Sequence, residues 1–274
     1  MTLFGNRLIA PHSIPEPMSN NLSLPSLAGL NVLITRPAEQ AVAFAEAVQQ
    51  AHGRPVCFPT LEILGPADKT AVRRAFATLA GVDIIIFTST NAVQYAFPLL
   101  PDHIPLNIPI AAIGAATAAA LTQIGLPATL TPDQPQTEGL LALPALQTVQ
   151  DKHILIVRGQ GGREQLKQTL VARGARVDYV ETYRRQSPKR NPHNLIQNWT
   201  KLVDVVTVTS QEILDNLYQM LGTAGQPILQ QTPMIVPSER IAAHARQLGC
   251  RNIYQASSAL DAAMLQALHT FSTH

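Results

Sequence analysis

The chain has 274 residues, of which 46% are hydrophobic and 14% are charged. This length suffices for two domains of ordinary size, and the apolar content excludes a disordered protein. Lysine and arginine number 20 against 18 acidic residues, a formal net charge of only +2. Because no run of four or more basic residues occurs, a nucleic-acid-binding protein that depends on a basic stripe is also excluded.

The cysteines and the least polar segments indicate the setting of the protein. Cys57 and Cys250 lie in no CxxC or Cys/His pattern, so the sequence predicts neither a disulfide scaffold nor a zinc module and favours a reducing cytoplasm. The longest uncharged stretch, 103–132, contains proline, glycine and threonine and is read as a strand, a helix and a turn, not a membrane span. Residues 1–27 carry four prolines, and Arg7 interrupts any signal-peptide core, so we expect a flexible tail.

From residue 30 onward, short apolar runs alternate with segments of helical length. The runs are rich in β-branched residues and predict strands at 31–35, 83–87, 108–113, 153–157, 204–208 and 233–236. Such runs are typical of parallel strands that are buried on both faces of an α/β sheet. Two more polar strands are predicted at 55–63 and 176–184.

Matched spacings in the two halves of the chain indicate an internal duplication. Asp83 and Asp204 are each followed, five and six positions later, by a Thr-Ser pair. The spacing between a proline and a glycine also recurs (109–125 and 233–249), and in both halves a strand that ends in an arginine is followed by a helix and a glycine (36–53 and 158–174). Because the three units occur in the same order, the chain is expected to contain two copies of one α/β module.

Ligands of open parallel sheets bind beyond the carboxyl ends of the strands, where strands turn into helices. The predicted turns of this kind are Thr35-Arg36-Pro37, Thr88-Ser89-Thr90-Asn91, Gly114-Ala115-Ala116-Thr117, Arg158-Gly159-Gln160-Gly161-Gly162-Arg163, Thr209-Ser210-Gln211 and Ser238-Glu239-Arg240. Each turn offers hydroxyls, glycines or an arginine, although hydroxyls there also serve as ordinary helix caps. Together the turns predict a polar cleft suited to an anionic ligand.

Conventional catalytic and cofactor motifs are absent from the sequence. The eight histidines show no metal-binding spacing, and no GxSxG or Walker sequence occurs. The glycine-rich segment 159–164, with Asp178 beyond it, is the best case for a dinucleotide, but Glu164 would place a carboxylate against the pyrophosphate. We therefore expect no cofactor and no metal.

An ordered set of short motifs resembles the uroporphyrinogen-III synthase family from about Leu30 to the C-terminus. The motifs are Val32-Leu33-Ile34-Thr35-Arg36-Pro37, Phe87-Thr88-Ser89-Thr90-Asn91, Ile113-Gly114-Ala115-Ala116-Thr117, Thr137-Glu138-Gly139-Leu140-Leu141, Ile156-Val157-Arg158-Gly159 with Gly162-Arg163, Val180-Glu181-Thr182-Tyr183-Arg184 and Val208-Thr209-Ser210. The resemblance implies an α/β fold of two parallel-sheet, flavodoxin-like domains joined by a two-stranded β linker. It places domain one at 28–56 and 187–274, the linker at 57–64 and 177–186, and domain two at 65–176.

The resemblance also implies an activity, in which hydroxymethylbilane is cyclised to uroporphyrinogen III with inversion of ring D and loss of water. Such a hydro-lyase works mainly by holding a flexible chain folded. Tyr183 is the implied catalytic donor, although it could equally be a tyrosine that only packs in the linker. The implied substrate-binding residues are Arg36, Thr88, Ser89, Asn91, Gly114, Thr117, Glu138, Arg158, Gly159, Gly162, Thr209, Ser210 and Ser238.

The implied partner is a small linear tetrapyrrole, with no nucleic acid or membrane, and the implied state is a monomer. A non-enzymatic two-domain protein that binds a small anion is the alternative. It would account for the turns and the duplication but not for the ordered motifs.

Overall fold

The computed structural model describes residues 26–101, 104–105 and 107–273. Its strands are β1 (Asn31–Ile34), β2 (Arg54–Cys57), β3 (Glu62–Leu64), β4 (Ile84–Phe87), β5 (Ile110–Ala112), β6 (His153–Gly159), β7 (Arg176–Gln186), β8 (Val205–Thr207), β9 (Met234–Val236) and β10 (Ile253–Gln255). Its α-helices are α1 (Ala38–Gln50), α2 (Lys69–Ala77), α3 (Thr90–Ala96), α4 (Ala115–Gln123), α5 (Thr137–Ala142), α6 (Pro144–Gln147), α7 (Gln165–Ala172), α8 (His193–Gln197), α9 (Trp199–Leu202), α10 (Gln211–Gln231), α11 (Glu239–Gln247) and α12 (Asp261–Ser272).

The strands form two five-stranded sheets. The first sheet has the order β10-β9-β8-β1-β2, and its pairs are parallel. The second has the order β3-β7-β6-β4-β5 and is parallel except for β3, which pairs antiparallel to β7. The predicted α/β class with parallel sheets is therefore confirmed.

Helices cover both faces of each sheet, which explains why the central strands are apolar throughout. In the first sheet, α8, α9, α10 and α11 pack on one face and α1 and α12 on the other. In the second sheet, α2, α3 and α4 pack on one face and α5, α6 and α7 on the other. A strand that is buried on both faces has no position at which a polar side chain reaches water.

Two of the strand predictions differ from the structure. The segment 55–63 is not one strand, because β2 and β3 are separated by Phe58 and Leu61, whose side chains enter the core of the first sheet. The strand β10 was not predicted, because its Tyr254 and Gln255 are exposed and it has no apolar run.

Leu27, at the end of the predicted tail, is buried and donates its N–H to the Ala51 carbonyl at 2.7 Å. Residues 1–25 of that tail lie outside the described residues.

The predicted duplication corresponds to repeated contacts in the two sheets. The N–H of Asp83 donates to the His153 carbonyl at 2.8 Å, while the Asp83 carboxylate accepts from the His153 N–H at 2.7 Å. Asp204 makes the same two contacts with Asn31, at 2.9 and 2.7 Å. The pair β4 and β6 is thus equivalent to the pair β8 and β1.

Strand β7 is the longest strand and takes part in two kinds of pairing. Its residues from Arg176 to Tyr183 pair in parallel with β6, and its last three residues pair with β3. Most of the segment 177–186, which was expected to be linker, therefore lies within the second sheet. The chain passes between the two sheets through 58–61 and 187–192. No helix in the described part of the chain is long and apolar enough to cross a membrane.

Candidate functional site

Two cavities lie where the strands of the two sheets end and helices begin. The β6 cavity, of about 430 Å³, is lined by Thr88, Ser89, Ile113, Pro135, Gln136, Thr137, Ile156, Arg158, Gly159, Gln160, Gly161, Gly162, Arg163, Leu166, Tyr179, Tyr183 and Arg185. The β1 cavity, of about 340 Å³, is lined by Arg36, Pro37, Gln40, Leu61, Ile63, Asn91, Arg185, Thr209, Ser210, Glu212, Ile213 and Ala259. Arg185 lines both cavities.

Tyr183 is held at the β6 cavity by contacts on several sides. Its side chain is buried in the core of the second sheet, and its ring stacks on Tyr95 with centroids 6.0 Å apart. Its hydroxyl lies 3.2 Å from Ser89 Oγ and accepts from Arg185 Nη2 at 3.3 Å. Because a guanidinium can only donate, the proton of the Tyr183 hydroxyl stays free to donate to Ser89 or to a ligand.

The glycine-rich loop after β6 allows this tyrosine to fit. A Cβ at Gly159 would lie 2.5 Å from Cζ of the Tyr183 ring, a distance that real Cβ atoms essentially never show. Gly162 has a φ of +97°, which favours glycine. The N–H of Gln160 donates to the Tyr183 carbonyl at 2.7 Å, so loop and tyrosine are joined through the backbone as well.

Arg158 is buried behind the same loop. Its guanidinium packs over the Tyr179 ring, 4.5 Å from the centroid, and donates to Glu164 at 3.1 Å. Glu164 also accepts from the Tyr179 hydroxyl at 2.8 Å, and this bond is the main reason that the pKa of Glu164 is lowered. Burial, followed by the bond to Glu164, raises the pKa of Tyr179 to about 12. Both carboxylate oxygens of Glu164 are therefore hydrogen-bonded within the protein, at the position where the pyrophosphate of a dinucleotide would lie.

Ser89 and Ser210 occupy equivalent positions and both cap helices. Ser89 Oγ accepts from the Ala92 N–H at 3.0 Å at the start of α3, and Ser210 Oγ accepts from the Ile213 N–H at 3.2 Å at the start of α10. The ordinary capping role considered for these hydroxyls is therefore present. Ser89 has an additional contact, because its oxygen also reaches Tyr183.

Arg36 is the counterpart of Arg158 in the first sheet. It is buried, packs over the Phe44 ring at 4.4 Å and pairs with Asp261 at 2.5 Å. Its Nη2 is buried without a hydrogen-bond partner in the described part of the chain. Each cavity is thus lined by one buried arginine, Arg158 at the β6 cavity and Arg36 at the β1 cavity.

The repeated contacts of the two sheets indicate which residue of the first sheet corresponds to Tyr183. Thr182 Oγ1 donates to the Ala92 carbonyl at 3.2 Å, and Thr60 Oγ1 donates to the Ile213 carbonyl at 3.0 Å. Thr60 is therefore equivalent to Thr182, and Leu61 of the β1 cavity is equivalent to Tyr183 of the β6 cavity. The two cavities share a framework but differ in their polar chemistry.

Four of the residues predicted to bind substrate line neither cavity. Gly114 caps α4, and a Cβ there would lie 2.4 Å from Pro135. Thr117 is buried in the first turn of α4, Glu138 is exposed and accepts from Gln165, and Ser238 precedes α11. The other nine substrate-binding candidates line the two cavities, as does Tyr183: Thr88, Ser89, Arg158, Gly159, Gly162 and Tyr183 at the β6 cavity, and Arg36, Asn91, Thr209 and Ser210 at the β1 cavity.

Three residues that were not predicted from the sequence also line the β6 cavity: Arg185, Gln160 and Thr137. Gln160 lies in the predicted turn after β6, and Thr137 begins one of the motifs that resemble the family. Both residues could therefore have been predicted from the sequence. Arg185 could have been found from its position two residues beyond Tyr183, because alternate residues of a strand point to the same face. Within 26–101, 104–105 and 107–273, no group of three or more His, Cys, Asp or Glu residues could hold a metal.

Comparison with known proteins relates the chain to one family. Residues 42–266 match the family model described as uroporphyrinogen-III synthase HemD. The uroporphyrinogen-III synthases of Salmonella typhimurium and Escherichia coli are 34% and 32% identical, and the match covers 87% of this chain and all of each relative. The fold is similar to that of the uroporphyrinogen III synthase of Thermus thermophilus, in a mutant form, with a TM-score of 0.60 and 19% identity over 88% of this chain and 98% of the other. It is equally similar to the enzyme of Helicobacter pylori, with a TM-score of 0.60 and 16% identity over 88% and 99%.

Proposed function

Because the chain belongs to the uroporphyrinogen-III synthase family, we propose that it cyclises hydroxymethylbilane to uroporphyrinogen III, a step of tetrapyrrole and haem biosynthesis. In this reaction the C–O bond of the terminal hydroxymethyl group on ring A breaks and water leaves. Ring D then attacks the resulting electrophilic carbon through its substituted position, which gives a spiro intermediate. The bond from that position to the methylene bridge of ring C then breaks, and the bridge rejoins ring D at its free position with loss of a proton, so that the ring is inverted. Attack at the free position would give the type I isomer, so the enzyme must hold the folded chain in one orientation.

The observation that carries the proposal is the setting of Tyr183. Its hydroxyl faces a cavity of about 430 Å³, with Ser89 at 3.2 Å and Arg185 at 3.3 Å. Arg185 can only donate, so the Tyr183 proton is available for a hydrogen bond to the departing hydroxyl of ring A. The equivalent Leu61 of the other cavity has no such proton.

Substrate binding is proposed to be shared among the residues that line the two cavities. The substrate carries about eight carboxylates, and a protein of net charge +2 cannot neutralise them one by one. Thr88, Ser89, Arg158, Gly159 and Gly162 contribute from the β6 cavity. Arg36, Asn91, Thr209 and Ser210 contribute from the β1 cavity. Gly114, Thr117, Glu138 and Ser238 stay predictions with less support, because they line neither cavity.

We also propose that the two sheets belong to two domains that move relative to each other. The proposal is supported by the separate cores of the two sheets and by the two short crossings at 58–61 and 187–192. Domain one would comprise 28–56 and 187–274, and domain two 65–176 with the part of β7 that pairs with β6. The connection would then lie at 57–64 and the end of β7.

Further proposals concern the state of the protein in the cell. We propose a monomer in the cytoplasm that needs neither cofactor nor metal and binds neither nucleic acid nor membrane. Support for the cytoplasm comes from the two unpaired cysteines, Cys57 and Cys250. Gel filtration checks the monomer, and activity after exhaustive chelation checks the absence of a metal.

The decisive experiment incubates the protein with hydroxymethylbilane and separates the type I and type III isomers. We expect type III in excess of the spontaneous type I product. The Tyr183→Phe variant should turn over more slowly but still fold, because its ring keeps the contact with Tyr95. A protein that yields only the type I product would refute the proposed function. A fully active Tyr183→Phe variant would refute the catalytic role of Tyr183 and would leave the proposed function standing.

A further inference from the structure

Arg185 differs from the other arginines of the site in its position. It lies on β7, where it pairs with Ile63 of the antiparallel β3, and it lines both the β6 cavity and the β1 cavity. Arg158 lines only the first of these cavities and Arg36 only the second. Arg185 is therefore placed to contact a ligand that spans both cavities.

The guanidinium of Arg185 makes two side-chain contacts, one on each side of the site. Nη2 donates to the Tyr183 hydroxyl at 3.3 Å, and Nη1 donates to Glu212 Oε2 at 3.4 Å. Glu212 lies in the first turn of α10, where the N-terminus of the helix favours a negative charge. A carboxylate thus already occupies the space between Arg185 and the start of α10.

The Arg185 side chain, unlike those of Arg36 and Arg158, is well exposed to solvent in its ion pair. The side chains of Arg185 and Glu212 are 48% and 43% exposed, whereas those of Arg36 and Arg158 are only 8% exposed. Arg36 and Arg158 also pack over Phe44 and Tyr179 at 4.4 and 4.5 Å from the ring centroids, closer than Arg185 lies to the Tyr183 ring, at 5.7 Å. An exposed ion pair at 3.4 Å stabilises the fold very little, so it can be exchanged at low cost.

From this geometry, and resting on the proposed function, we propose that Arg185 binds a substrate carboxylate and that Glu212 occupies its place in the ligand-free chain. On binding, a carboxylate of the tetrapyrrole replaces Glu212 on Nη1, while Nη2 stays on the Tyr183 hydroxyl. A planar guanidinium with several donors can hold both partners at once. Arg185 is then a positioning residue for Tyr183 as well as a substrate contact.

The proposal predicts opposite effects for the two members of one ion pair. Arg185→Gln removes a charge-assisted hydrogen bond to substrate and should raise KM about tenfold. Glu212→Gln removes the competing carboxylate and should lower KM about two- to fivefold, the range of an exposed ion pair. Arg185→Lys keeps the charge and should restore part of the loss in KM. Because these effects are electrostatic and exposed, both should shrink at high salt.

The experiment measures KM and kcat with hydroxymethylbilane for the three variants, together with the Kd of the fluorescent octacarboxylate uroporphyrin III as a readout independent of turnover. Two matched controls test for non-specific charge effects. Arg176→Gln removes an exposed arginine from the other end of β7, and Glu239→Gln removes an exposed first-turn acid from α11. Both controls should leave KM and Kd within about twofold of the parent, because exposed pairs of this kind contribute little.

Three results would overturn the proposal. The first is Glu212→Gln raising KM and Kd as Arg185→Gln does, since the pair would then be structural. The second is an Arg185→Gln variant with unchanged KM and Kd, and the third is an effect of equal size in the controls. A parent that binds uroporphyrin III but yields no type III isomer would refute the proposed function instead, and the Kd values would still decide the role of Arg185.

Discussion

Gly159 lies directly against the ring of Tyr183, so close that a Cβ at Gly159 would stand 2.5 Å from Cζ of the ring. The two residues are also paired in the register of β6 and β7. The absence of a side chain at Gly159 is therefore what allows the Tyr183 hydroxyl to reach Ser89 and the cavity.

We expect Gly159→Ala to displace the Tyr183 ring and to lower kcat about 10- to 100-fold, because small misplacements of a reacting group are costly. The backbone at Gly159 is not in the left-handed region, so the effect should come from the steric clash alone. Steady-state kinetics and a crystal structure of the variant would measure both effects. Gly65→Ala is the matched control, since a Cβ there meets ordinary contacts at 3.9 Å. Normal kcat in Gly159→Ala would contradict the prediction.

Ser89→Ala and Ser210→Ala should each lower the free energy of unfolding by about 0.5 to 2 kcal/mol, because each removes a helix N-cap. Their effects on catalysis should differ, since only Ser89 contacts the Tyr183 hydroxyl. We expect Ser89→Ala to lower kcat and Ser210→Ala to act mainly on KM. Denaturant titration and kinetics of the two variants would test this, and equal kcat values would argue against a role of Ser89 at Tyr183.

Substrate or product should bring the two sheets closer together, because the crossings between them are short and a flexible ligand must be enclosed before it can be folded. Small-angle scattering should therefore show a smaller radius of gyration with ligand than without it. An unchanged radius at saturating ligand would contradict the proposed movement of the domains.

The two cysteines should differ in reactivity in the folded protein. Burial raises the pKa of both thiols, that of Cys250 to about 11, but Cys57 is exposed to a reagent whereas Cys250 is buried. Since the thiolate is the reacting form, a thiol reagent at mildly alkaline pH should titrate Cys57 rapidly and Cys250 only after unfolding. Rapid titration of both thiols in the native protein would be inconsistent with the buried position of Cys250.

Asp178 should contribute to stability at neutral pH and lose that contribution in acid. The hydrogen bond from His153, at 2.8 Å, is the main reason that the pKa of Asp178 lies below its ordinary value of 3.8. A lowered folded-state pKa means that the unfolded chain takes up the proton first as the pH falls. Asp178→Asn should thus be less stable than the parent at neutral pH, and the difference should disappear as the pH falls below 3.8 through the folded-state pKa. Denaturant titrations at several pH values would measure it, and a difference that grows in acid would contradict the sign.

The central strands and the duplication could be predicted from the sequence for a local reason. Strands such as β4 and β6 are buried on both faces, so their residues must be apolar without interruption, and this pattern is visible in any window. The exposed β10 has no such requirement and was missed. The prediction of one strand over 55–63 is wrong, because Phe58 and Leu61 are buried in the core between two separate strands, β2 and β3.

Which turns carry hydroxyls, glycines and arginines could also be predicted, since these are properties of neighbouring residues. How these groups are used depends on the tertiary packing. It buried Arg36 and Arg158, left Arg185 exposed between two cavities, and placed Glu212 of helix α10 against it. It also set Tyr183 where the duplicated half has Leu61. These relationships depend on distances between residues far apart in the chain, and such distances follow from the packing of sheets and helices, which no local pattern specifies.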